Sequence, residues 1–167
     1  MALALNIVII ILALVTLYFL LKGGREAVPA PAGKPAGGSY TPLPQGEPVH
    51  HWSDEGRFQL EVLGESRYSD TIHALAGQHG DAPADAHHKA LLLPDDNNPY
   101  EDKAVAVFLN KQMVGYLAPK DALAFRAMLA RQEIAGQLTS TDAVIRGGHL
   151  YEGKRLSYAV LLDINVA

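Results

Sequence analysis

The stretch from Pro94 to Leu117, PDDNNPYEDKAVAVFLNKQMVGYL, constrains the fold of this 167-residue chain more than any other. Asn97-Asn98-Pro99 sets a turn, because Pro99 fixes its own φ and drives Asn98 out of the helical region, while Asn side chains satisfy local backbone groups. Ala104 to Leu109 then reads as a strand. Val105, Val107 and Leu109 fall on one face and Ala104, Ala106 and Phe108 on the other, so both faces require cover. Asn110-Lys111-Gln112 makes a tight connection, and Met113 to Leu117 returns as the partner strand.

Around this hairpin the pattern gives further elements. Phe58, Leu60 and Val62 alternate with Gln59 and Glu61, which predicts a first strand with one buried face. Ser69 or Asp70 caps a short helix carrying Ile72, Leu75 and Ala76 and ended by Gly77. Gln78 to His87 is polar, contains Pro83, and reads as an exposed loop before a strand from Lys89 to Leu93. Pro119 suits the first turn of a second helix, whose stripe of Ala122, Phe125, Met128 and Leu129 runs to about Gln132. Leu138 to Arg146 and Leu156 to Val166 close the set as strands, joined by a loop over Gly147 to Gly153. Six strands and two helices make a mainly β, α+β domain over residues 55–167, and a small OB-like barrel is the expected architecture.

The N-terminal third is of another kind. Leu3 to Leu21 is apolar apart from Asn6 and Thr16 and carries no charge. At about 1.5 Å per residue, a helix of that length spans about 28 Å, which matches a bilayer core. Residues 1–22 are therefore expected to form one transmembrane helix. A cleaved signal peptide, for which Ala30-Pro31-Ala32 offers small residues, is disfavoured by the length of the run and the lack of a basic segment before it. Lys22, Arg25 and Lys34 follow the run and no Lys or Arg precedes it, so the positive-inside rule predicts a single-pass inner-membrane protein with its C-terminal domain in the cytoplasm. Residues 23–54 are dense in Pro, Gly and Ala and read as a disordered or partly extended linker. Trp52, beside His50 and His51, is expected to dock on the barrel.

Charge and chemistry narrow the function. The chain carries 14 Lys plus Arg against 18 Asp plus Glu, and from Arg57 onward 11 against 14, which is not the composition of a protein that grips nucleic acid by its backbone alone. Without Cys there is neither a disulfide nor a thiolate zinc site. His50-His51, His73, His79 and His87-His88, with Asp81 and Asp85 nearby, match no zinc spacing and read as solvated loop residues. Asp95-Asp96 with Glu101-Asp102 lacks the ligand spacing and the Gly of a calcium loop. No nucleophile elbow, P-loop or dinucleotide fingerprint occurs, so the expectation is a binding protein without catalysis, metal or cofactor.

Several short motifs, taken in order, carry a resemblance. They are Gly64-Glu65-Ser66 with Tyr68, Asn98-Pro99-Tyr100, Ala104-Val105, Val114-Gly115-Tyr116-Leu117 before a helix, and Gly147-Gly148 before the last strand. Over Arg57 to Ala167 the chain resembles the HIRAN domain, a small β-barrel module fused to helicase-like DNA-repair ATPases and also found as short bacterial and phage proteins. Glu101 and Lys103 stand where that family usually has Asp and Asn. The resemblance implies a groove beside the Asn-Pro-Tyr loop that receives the 3′ end of single-stranded DNA. Carried over residue by residue, Tyr68 and Tyr100 would offer π faces to bases and Arg67 would pair with phosphate. Glu101 would accept a hydrogen bond from a terminal hydroxyl, and Lys103, with Lys120 and Arg126, would extend a positive track. The alternative is a membrane-tethered protein-interaction domain that keeps the fold without the DNA ligand.

Overall fold

In the computed structural model, which describes residues 40–166, nine strands and two helices follow one another along the chain. They are β1 (His51–Trp52), β2 (Leu60–Leu63), α1 (Glu65–Ala76), β3 (Ala84–Pro94), β4 (Val105–Leu109), β5 (Gln112–Leu117), α2 (Pro119–Arg131), β6 (Thr139–Gly147), β7 (Leu150–Tyr151), β8 (Lys154–Arg155) and β9 (Tyr158–Leu162). Six of the strands close an antiparallel barrel in the order β6-β3-β4-β5-β2-β9, with β9 pairing back onto β6. The mainly β architecture with two helices is thus the one the pattern predicts.

The central hairpin forms where the alternation places it. Asn110 and Lys111 both take positive φ, 48° and 65°, the conformation a two-residue connection needs to match the twist of its strands. Every residue of β4 is buried. Val105, Val107 and Leu109 join the main core with Leu92, Val114, Phe125, Leu129, Ile145 and Leu162. Ala106 and Phe108 face the other way and, with Met113, form a second cluster against Tyr68, Leu91, Leu93 and Tyr116. α2 supplies Ala122, Phe125 and Leu129 to the main core from one stripe, and full burial of a side chain such as Phe125 stabilises by about 1.5–3 kcal/mol.

Several boundaries differ from the sequence pattern. β3 starts at Ala84, inside the segment expected as a loop, and pairs with β6 from Ala84↔Gly147 to Leu92↔Thr139. Its inward positions near the start are alanines, too small to stand out among the polar residues between them, and the long partner strand compensates. α1 begins at Glu65 rather than at Ser69 or Asp70, with Gly64 at its N-cap and a non-helical Tyr68 (φ −113°, ψ 18°) inside it. In that first turn the Glu65 carboxylate accepts the backbone N–H of Tyr158 at 2.9 Å. Phe58 lies outside β2 with φ 47° and packs edge-on against His87, with ring centroids 5.6 Å apart. β7, inside the expected Gly147–Gly153 loop, pairs with β8 just beyond it as a small hairpin, and β9 is shorter than the strand expected to run from Leu156 to Val166.

Residues 40–54, expected as linker, lie on the barrel. β3 occupies one edge of β6 throughout, and on the other edge β9 covers Ala143 to Gly147. β1 continues that edge as a parallel strand, His51↔Ser140 and Trp52↔Thr141. Trp52 is buried with its ring 6.3 Å from Phe125, the docking its apolar surface predicts. Among the described residues no helix is long and apolar enough to cross a membrane. The transmembrane segment expected at residues 3–21 and the first part of the linker lie outside the described residues.

Candidate functional site

The loop between β3 and β4 is built by its own side chains. The Asp95 N–H donates to Ala104 O at 2.9 Å and so closes the neck of the loop. Asn98 Oδ1 accepts the backbone N–H groups of Tyr100 (2.9 Å) and Glu101 (3.2 Å), which is the Asx-type turn that Asn before Pro-Tyr favours. Asn98 Nδ2 donates to Asp95 Oδ2 at 3.1 Å. From α2, Arg126 clamps the far side of the loop, donating to Lys103 O at 2.9 Å, Ala104 O at 2.8 Å and Asp96 Oδ1 at 2.7 Å.

Beside this loop opens a cavity of about 390 Å³. Tyr40, Tyr100 and Tyr116 give it aromatic walls, and Leu63, Leu117 and Pro119 give it aliphatic ones. Arg67, Asn98 and Glu101 add one guanidinium, one amide and one carboxylate. The start of α1 brings Arg67, and β2 and β5 bring Leu63 and Tyr116, which pair in register. That pairing is unusually close at Gly115 (φ 152°), because a Cβ there would run into the Leu63 carbonyl.

Two hydroxyls of the cavity are poor acids. Tyr40 donates to Asp95 Oδ1 at 2.6 Å, and this bond, helped by burial and by the carboxylate's charge, pushes its pKa up to about 12. Burial, with Tyr68 and Asp95 nearby, likewise pushes Tyr116 up to about 12. Both therefore stay neutral near neutral pH, and Tyr40 gives its hydroxyl hydrogen to Asp95.

Arg67, Tyr100 and Glu101, named from the resemblance, thus line one cavity. Tyr68 does not line it. It is half-buried in the second apolar cluster, its hydroxyl 3.4 Å from Met113 Sδ, and burial raises its pKa. Lys103 is exposed and also outside the lining, its N–H donating to the Glu101 carboxylate at 3.3 Å. Arg126 is committed to the loop, and Lys120 lines a different hollow with Asp54 and Asp121. Arg67 is the only cation among the described lining residues, so they form no continuous basic track.

Tyr40 and Tyr116 are site residues that the motifs do not single out. Tyr116 belongs to Val114-Gly115-Tyr116-Leu117, and its outward register on β5 is the signal the sequence offers. Tyr40 lies in the Pro- and Gly-rich stretch and carried none.

The histidines have other work. His79 Nδ1 lies 2.5 Å from Ala82 O, an acceptor only, so Nδ1 holds the hydrogen and Nε2 accepts from the Tyr158 hydroxyl at 2.8 Å. His87 and His88 sit on β3 rather than in a loop, and His88 donates to Leu75 O at 3.0 Å. No group of three or more metal-ligating side chains occurs among the described residues. Comparison with protein-family models, with curated proteins and with solved structures gave no match to this chain.

Proposed function

We propose that this protein is a membrane-anchored, HIRAN-like binding module whose cavity beside the Asn98–Glu101 loop takes the 3′ end of a single nucleic-acid strand. The observation that carries the reading is the convergence of Arg67, Tyr100 and Glu101 on one cavity with two further tyrosines, Tyr40 and Tyr116. A volume of about 390 Å³ suits one terminal nucleotide rather than a long tract. Tyrosine faces stack on a base whatever its identity, worth about 1–3 kcal/mol per base. Arg67 pairs with the phosphate through its fork of donors, and Glu101, an acceptor only when ionised, suits a ligand that ends in a hydroxyl. In this reading the chain binds and performs no reaction, and the apolar run at residues 3–21 holds it at the membrane.

The test uses the full chain in detergent micelles, titrated at low salt with fluorescent oligonucleotides that carry either a free 3′-hydroxyl or a 3′-phosphate. Tighter binding of the free hydroxyl, weakened about tenfold by Tyr100→Ala at unchanged melting temperature, is the expected outcome. Equal binding of both ends, or of neither, rejects end recognition.

A second reading draws on a different observation. Leu63 is 49 % exposed and Tyr100 45 % exposed at the cavity, and most lining groups are apolar. A short apolar peptide segment of a partner protein would use those walls without a phosphate site. Arg67→Ala separates the two, since it weakens an oligonucleotide strongly and such a peptide little.

A further inference from the structure

The cavity is not completed by the barrel alone. Tyr40 precedes β1 and lies outside the Arg57–Ala167 stretch that carries the resemblance, yet it lines the cavity and reaches Asp95, 55 residues away in sequence. Its segment is held along its length. Pro42 is buried, Val49 N–H donates to Leu138 O at 2.9 Å, Ser140 N–H donates to His50 O at 2.9 Å, and Trp52 is sunk in the core.

Hydrogen-bond polarity makes the contact directional. Asp95 is 4 % exposed, and as a carboxylate it only accepts, so both of its neighbours must donate. Tyr40 supplies one donor to Oδ1 and the Asn98 amide supplies the other to Oδ2. With its NH₂ turned to Asp95, Asn98 has its carbonyl oxygen free to hold the N–H groups of Tyr100 and Glu101. Hydroxyl, carboxylate, amide and backbone thus form one relay from the N-terminal segment to the two loop residues that face the ligand. A buried carboxylate oxygen that loses its donor must find another, and the Asn98 amide, already bonded to the same carboxylate at 3.1 Å, is within reach of that role.

We infer that Tyr40 is a positioning residue as well as a wall of the cavity, so that the Asn98–Glu101 loop takes its binding geometry only when the segment before the barrel is in place. The ligand of this deeper reading rests on the proposed end-binding function, but the coupling itself does not. A terminal base that stacks in the cavity would meet the Tyr40 ring directly, and recognition of the strand end would be shared between the barrel and the chain that leads to it.

The experiment compares the full chain in micelles with its Tyr40→Phe and Tyr40→Ala variants. Hydrogen–deuterium exchange is followed over residues 96–104 without ligand, and a 3′-hydroxyl oligonucleotide is then titrated. Tyr40→Phe keeps the ring and removes the donor, so exchange of the Tyr100 and Glu101 amides should rise about tenfold while the barrel's melting temperature stays within a few degrees. Oligonucleotide affinity should fall about fivefold in Tyr40→Phe and further in Tyr40→Ala, which also removes the wall. Unchanged exchange at 96–104 in Tyr40→Phe overturns the inference, whatever the oligonucleotide does. Faster exchange in a protein whose wild type binds neither oligonucleotide end upholds the positioning role and rejects the proposed ligand instead. Should Tyr40→Ala fail to fold, Tyr40→Phe decides alone.

Discussion

Asp163, just beyond β9, holds a carboxylate that is 3 % exposed. Burial by itself would raise its pKa. Hydrogen bonds outweigh that effect: the Ser53 hydroxyl (2.8 Å) and the N–H groups of Gly56 (2.8 Å) and Arg57 (3.1 Å) donate to it, and its pKa is lowered below the ordinary value. A carboxylate with a depressed folded-state pKa stabilises the fold fully above its unfolded pKa of about 3.9, and that contribution disappears as pH falls through the folded value. Asp163→Asn is therefore expected to lower stability at pH 7 by about 2 kcal/mol. Between pH 5 and pH 2, a range of about three units, the variant should lose stability less steeply than wild type. Urea melts from pH 7 down to pH 2 would measure both effects. Arg57, which pairs with the buried Asp54, closes the same turn, so Asp54 and Asp163 jointly fasten residues 53–57. None of this was legible in the sequence, where Asp54 and Asp163 are two acidic residues among many.

At the scale of elements, the reliable signals were those in which periodicity and turn chemistry agree. The β4–β5 hairpin and α2 have side chains large enough to mark their buried faces, and Pro119 announces the helix start. β3 was half-hidden because Ala84 and Ala86 mark its inner face faintly, so the strand exists mainly by virtue of its pairing with β6. The start of α1 is hidden in the sequence because its cap is Gly64, which makes no side-chain hydrogen bond and leaves no Ser/Thr/Asp signature, whereas the part after the kink at Tyr68 begins close to the expected Ser69–Asp70 start. Gly115 illustrates what a motif residue does physically. Its φ of 152° and the closeness of the Leu63 carbonyl leave no room for a Cβ between β2 and β5. Gly115→Ala should therefore cost about 3 kcal/mol and separate Leu63 from Tyr116, two walls of the cavity. A thermal melt of the variant would show the loss, and accelerated amide exchange confined first to β2 and β5 would locate it.

For the whole molecule, the distribution of charge decides how a strand end could be held. Single-stranded binding weakens with salt by a slope of about −0.7 in log K against log salt for each phosphate neutralised. With Arg67 as the one cation among the described lining residues, the proposed complex should show a slope near −0.7, and one steeper than about −2 would require a basic track elsewhere. Fluorescence titrations at four or five salt concentrations measure it. The weak electrostatic grip gives stacking and shape the main part, which agrees with an acidic chain.

Local events are legible in the chain: the Asn-Pro turn, the two-residue hairpin connection, the alternating strands and the amphipathic second helix. These depend on sterics and side-chain periodicity between near neighbours, which the linear pattern displays. Of the five residues carried over from the resemblance, Arg67, Tyr100 and Glu101 line the cavity and Tyr68 and Lys103 do not. The rest depends on contacts between distant parts of the chain. Closure of β9 onto β6, the laying of residues 40–52 across the barrel, and the contact of Tyr40 with Asp95 join groups far apart along the chain. Such contacts form because buried donors, acceptors and apolar faces must be satisfied in the folded molecule, and no local pattern records which distant partner satisfies them.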